Sequence, residues 1–238
     1  MVPAQGQELA AWLPQQRWYG AKSAAITGVS IADRCAELAL VDVAAEGLPV
    51  ARYALPELTG EGLAGEAVRA RWFRLLGASA ELGGPHGRFR FEALQRLGAS
   101  ASSRLLGAEQ SNTSVLYGDE RGAARWLLKL FRRVQEGENP DFEIPRALAQ
   151  HTAFRNVPAV SGRLLYEAEG RAAATLAVAQ EFVPNQGDGW EYVLRQLRSG
   201  AGEALLPEMG QLGRRTAEMH CALALIAEPD FRPEPITA

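Results

Sequence analysis

Four groups of residues in the middle of the chain have types and spacing suited to a phosphorylated ligand. Ser111, Asn112 and Thr113 form a small polar run between two stretches of strand character, 104–106 and 114–117. Main-chain N–H groups and hydroxyls exposed in such a turn cradle phosphate oxygens; the same tripeptide also suits an ordinary hairpin turn. Lys129 lies inside an apolar run, W-L-L-K-L-F. A lysine there is costly to bury unless its charge is paired; the alternative is an edge lysine reaching solvent. Next comes Asn139-Pro140-Asp141-Phe142-Glu143. Asn139 suits an N-cap, Pro140 the first helical position, and Asp141 the positive end of the helix dipole. Glu143 then falls about one turn in, where its carboxylate either meets Lys129 or only complements the helix dipole. Last, Gln180, Glu181, Phe182 and Val183 close an apolar strand; in a kinase-like lobe their main-chain groups would meet adenine, and otherwise they end a buried hairpin with no ligand.

These groups need a scaffold that brings them together. Patterning from residue 104 onward reads as strand, polar turn, strand, turn, a strand carrying one lysine, a short acidic helix, and a hairpin over 158–166 and 175–183. That is the order of elements in the nucleotide lobe of protein kinases and small-molecule kinases. In such a lobe a strand lysine holds the α- and β-phosphates of ATP, and a helix glutamate orients it. Pro145 falls inside the acidic helix, where it removes a donor and predicts a kink or a later start.

The first hundred residues read differently. Residues 26–33, 36–43 and 50–55 have strand character with Gly and Pro between them, which predicts a small antiparallel sheet. Residues 64–76 predict a helix with Val68, Trp72, Leu75 and Leu76 on one face. G-E-G-L-A-G over 60–65 lacks the lysine of a phosphate loop. Residues 88–94 give one more strand, and A-S-A-S-S near residue 100 marks a boundary. Beyond the lobe, Asp188 suits an N-cap, and 203–227 predicts a long helix. The expectation is an α+β chain in three parts: a cap over 1–103, a nucleotide-binding lobe over 104–184, and the first helices of a further lobe over 185–238.

Composition narrows the partners. The chain has 238 residues, 47% of them hydrophobic, and a net charge of −3. The slight acidity gives no support for nucleic acid, and Arg132-Arg133 reads as a solvated strand end. No apolar run spans a bilayer, and the N-terminus lacks the pattern of a signal peptide. Cys35 and Cys221 have no metal-ligand spacing and fit free thiols in a reducing cytosol.

Q-R-W-Y-G-A-K at 16–22, E-Q-S-N-T-S at 109–114, the run 127–144 and Q-E-F-V-P-N-Q-G-D-G-W-E-Y at 180–192 resemble the maltokinase family. These are capped bacterial kinases with an aminoglycoside-phosphotransferase-like fold, often fused to or partnered with trehalose synthase. The resemblance implies ATP and Mg2+ as cofactors and maltose as acceptor, phosphorylated at its anomeric hydroxyl. It assigns Ser111, Asn112 and Thr113 to the phosphates, Lys129 and Glu143 to the ion pair, and 180–183 to adenine. The family's H-G-D-type catalytic loop is missing: the three histidines precede Gly, Thr and Cys. The expectation is therefore a piece that stops before its catalytic lobe and is inactive alone. Two rival readings are a capped kinase for another sugar, such as an amino sugar, and a non-catalytic module that docks a trehalose synthase.

Overall fold

The computed structural model describes residues 6–59, 61–100, 102–107 and 111–234. Helix α1 (Gly6–Trp12) precedes strands β1 (Ile26–Arg34), β2 (Ala39–Ala45) and β3 (Ala51–Leu55). Side chains alternate across β2 and β3. Val41, Val43, Tyr53 and Leu55 pack with Leu9 and Leu13 on one face, while Leu40 and Ala54 join the main core on the other. Trp18 and Tyr19 of the Q-R-W-Y-G run lie against Tyr53, with ring centroids 5.7 and 5.5 Å away. They anchor the N-terminal segment to this sheet.

Helix α2 (Glu66–Gly77) follows, then β4 (Glu81–Gly83), β5 (Gly87–Ala93), β6 (Ser102–Leu106), β7 (Asn112–Gly118), β8 (Ala124–Phe131) and β9 (Arg133–Val134). After these come α3 (Pro140–His151), β10 (Val160–Ala168), β11 (Ala174–Glu181), α4 (Gly189–Arg198) and α5 (Leu206–Ala224). Seven strands pair in the order β4-β5-β10-β11-β8-β7-β6, and four in the order β1-β2-β3-β9. Trp72, Phe73 and Leu76 of α2 are buried in the main core, with strand residues such as Phe89, Phe91, Tyr117 and Leu164.

The larger sheet crosses the boundary expected at residue 103. Strand β5 pairs with β10, Phe91 opposite Leu164, and β9 pairs with β3 of the smaller sheet. The seam between β5 and β10 is close: a Cβ on Gly162 would lie 2.3 Å from the carbonyl oxygen of Glu92. Met1–Phe142 and Val160–Phe182 accordingly cluster as one unit.

Tyr166 joins distant parts of that unit. Its hydroxyl donates to Asp33 Oδ2 at 2.8 Å. Burial, reinforced by this bond to a carboxylate, raises its pKa to about 12. In the unfolded chain the phenol ionises near 10. Its contribution is therefore fully present below about pH 10 and lost as pH rises toward 12. Urea midpoints at about pH 9 and about pH 11 should fall steeply for the wild type and less for Tyr166→Phe. Equal falls would remove Tyr166 as a source of the alkaline loss.

Glu143–Ala159 and Val183–Ala238 form a second, helical unit. Asp188 caps α4, accepting from the Glu191 N–H at 2.8 Å. His151 Nε2 lies 2.7 Å from Glu228, and the Tyr192 hydroxyl donates to Glu208 at 3.0 Å. No residue of α4 or α5 is buried among those described; Trp190, Leu206 and Leu225 are widely exposed. No described helix is long and apolar enough to cross a membrane.

Candidate functional site

The polar run at 111–113 opens β7. Glu109 and Gln110 of the motif lie outside the described residues. Ser111 sits in an exposed bend, while Asn112 and Thr113 already pair as strand residues opposite Phe131 and Leu130. The pleat separates their side chains. Lys129 lies opposite Ser114 in β7 and Val178 in β11. Asn112, Ser114, Lys129 and Phe131 therefore share one face. Thr113 takes the other, where its hydroxyl accepts from Arg132 Nε at 2.7 Å. The sequence reading put all three residues in the turn because nothing local distinguishes a polar strand start from a polar turn.

Lys129 Nζ donates to Asp141 Oδ2 at 2.8 Å and lies 5.7 Å from the ring centroid of Phe131. Asp141 stands in the first turn of α3, two residues before Glu143, the partner expected from the sequence. The contact with Asp141 is set locally. Asn139 Oδ1 accepts from the Asp141 N–H at 2.9 Å, as an N-cap does. The Asn139 N–H donates to Thr175 Oγ1 of β11 at 3.3 Å. These bonds tie the helix start to the sheet that carries Lys129. Arg163 of β10 holds it from the side: its guanidinium bonds Glu92 at 2.6 Å and Glu138, and lies 4.3 Å from the ring centroid of Phe142. Pro145 does not end the helix, which runs through it to His151. Its missing donor falls early, where only one i to i−4 bond, to Asp141, is forfeited.

At the end of β11, Gln180 pairs with Leu127 on one side and Val160 on the other. Glu181 pairs with Trp126 alone, and the Phe182 N–H donates to the Arg125 carbonyl at 2.8 Å. Main-chain groups alternate sides along an antiparallel strand. Those of Glu181 therefore point toward the side where pairing with β10 has just ended. Val183 is exposed and falls in the second unit.

Arg132 was misread. Arg133 is exposed, but Arg132 is buried at 4% exposure. Strand alternation was the available signal, since Arg132 continues the buried face of Leu128 and Leu130. Among the described residues no group of three His, Cys, Asp or Glu is placed to hold a metal.

No protein-family model matches the chain. In sequence it is 33% identical over 146 residues to a glucosamine kinase of Streptacidiphilus jiangxiensis, a match covering 59% of this chain and 32% of that protein. In structure it matches glucosamine kinase in crystal form B with a TM-score of 0.52 at 23% identity, over 82% of this chain and 46% of that one. Crystal form A gives 0.49 at 23% identity, over 94% and 53%. The chain thus spans about a third of the curated relative and about half of the solved chains. The sequence match to a glucosamine kinase overturns the expected maltokinase identity, and with it maltose and the trehalose synthase link. The motifs behind that resemblance lie in the segments expected to form the cap and the nucleotide-binding lobe, which carry little information about the acceptor sugar. The chain is an α+β protein with a kinase-like fold, similar to glucosamine kinases.

Proposed function

We propose that this chain forms the cap and nucleotide-binding lobe of an ATP-dependent amino-sugar kinase, with glucosamine as the leading acceptor. The observation that carries this reading is the 33% identity to a glucosamine kinase over 146 residues. The geometry of Lys129 supports it. In this reading Lys129 meets the α- and β-phosphates and Asp141, bonded to it at 2.8 Å, orients it. Ser111 and Asn112 cover the phosphates from the turn. The Glu181 main chain meets the adenine edge, with Gln180, Phe182 and Val183 beside it. A sugar hydroxyl oxygen attacks the γ-phosphorus, the bond to the β,γ-bridging oxygen breaks, ADP leaves, and the hydroxyl proton passes to a base. Among the described residues no group of three His, Cys, Asp or Glu is placed to hold a metal; Mg2+ on ATP would be held by one or two carboxylates together with the phosphates.

The test is ADP release by the protein expressed from its complete reading frame. Glucosamine should raise the rate above the sugar-free level, by at least about tenfold more than maltose does. A response to maltose with none to glucosamine would sink the proposal.

A further inference from the structure

We infer that Arg132 is a positioning residue that anchors the start of β7 to the cap, so that the cap holds Ser111 and Asn112, the proposed phosphate-covering residues, in place. This rests on the nucleotide site proposed above. Arg132 stands between β8 and β9, where the chain passes from the seven-stranded sheet to the four-stranded one. Its Nη1 and Nη2 bond the two carboxylate oxygens of Glu57 at 2.7 and 2.5 Å. Its Nε donates to Thr113 Oγ1 at 2.7 Å. The guanidinium lies 5.1 Å from the ring centroid of Trp18, and the Arg132 main-chain carbonyl accepts from the Ala54 N–H at 2.9 Å. Every one of these partners except Thr113 belongs to the cap segment.

A buried guanidinium is tolerated only when its charge is paired and its donors are used. Here one planar fork does both: two nitrogens neutralise the charge on Glu57, and the third reaches Thr113. A lysine ammonium is a point charge and cannot reproduce that fork.

Why Thr113 matters follows from topology. Among the described residues β7 pairs with β6 on one side and β8 on the other, and β6 is the end strand of its sheet. Ser111 and Asn112, which cover the phosphates in the proposed reading, are placed by the start of β7. Asn112 and Lys129 face one side of the sheet; Thr113 is gripped from the other. Arg132 does not share the nucleotide face, so its effect is indirect and specific to the triphosphate.

The test is calorimetry of ATP and of adenosine on the full chain, with Lys129→Ala as reference. Thr113→Val and Arg132→Lys should each weaken ATP about fivefold and leave adenosine within about twofold. The double variant should be no weaker than the worse single one, since both break one link. Amides of 111–117 should exchange faster in each variant without nucleotide. Where Arg132→Lys does not fold, Thr113→Val carries the test, because it replaces a hydroxyl with a methyl of the same shape. Unchanged ATP affinity in these variants, with Lys129→Ala still weakening it, overturns the inference and leaves the site standing. ATP binding that is absent, or unmoved by all of them, overturns both. Equal losses for ATP and adenosine with a lowered unfolding midpoint would make Arg132 merely structural and also overturn it.

Discussion

Trp72→Ala is expected to cost about 3–5 kcal/mol, a large share of the roughly 5–15 kcal/mol that holds such a chain folded. Trp72 is fully buried and meets Phe91 edge-on at 5.9 Å. Its indole N–H has no hydrogen-bond partner among the described residues. Trp72→Phe therefore leaves no new unpaired group and should cost less, about 1–2 kcal/mol for the lost volume. The cluster around Trp72 draws on β5 of the cap segment and on β7, β8, β10 and β11 of the lobe. Both should lose stability together, as one transition at a lower urea midpoint by circular dichroism and by fluorescence. Two transitions, with only one displaced, would show instead that residues 1–103 fold alone.

Lys129→Ala is expected to weaken ATP about tenfold while adenosine binding stays within about twofold. The difference isolates the phosphates. The effect is modest because the Lys129 side chain is 31% exposed, and a charge pair partly in water contributes little. Asp141→Asn should weaken ATP by only about two- to threefold, since Lys129 keeps its charge and loses only its orientation. Calorimetry of both ligands decides between binding and folding effects. ATP affinity unchanged by Lys129→Ala would show that the wrong lysine, and with it the wrong site, has been assigned.

Much of the fold could be read locally. Strands β1, β2 and β3 announce themselves by apolar strand character, and α2 by the spacing of Val68, Trp72 and Leu76. Asn139 and Asp188 were legible as caps because an N-cap is a decision of three or four residues. What was not legible is pairing at a distance. Nothing in G-R-F-R-F-E-A tells β5 that its neighbour is β10, and two-residue β9 has no pattern at all. The boundary near residue 100 looked sharp because A-S-A-S-S is sharp; the hydrogen bonds across it are invisible in sequence. The site follows the same division. Lys129 was identifiable as a charged residue in an apolar strand. Its choice of Asp141 depends on Thr175 and Arg163 setting where α3 begins. Buried Arg132 needed Glu57, which lies in another sheet's flank.

The place of β5 has a consequence for synthesis. Glu92 of β5 and Arg163 of β10 bond across 71 residues. A ribosome adding about 5–20 residues per second takes roughly 4–15 s to cover that distance. Until β10 emerges, β5 has β4 on one side and an open edge on the other. Such an edge is a template for pairing with other nascent chains, and contacts so remote in sequence slow folding through the entropy of closing the loop between them. Phe89 and Phe91 wait through that interval without a completed sheet.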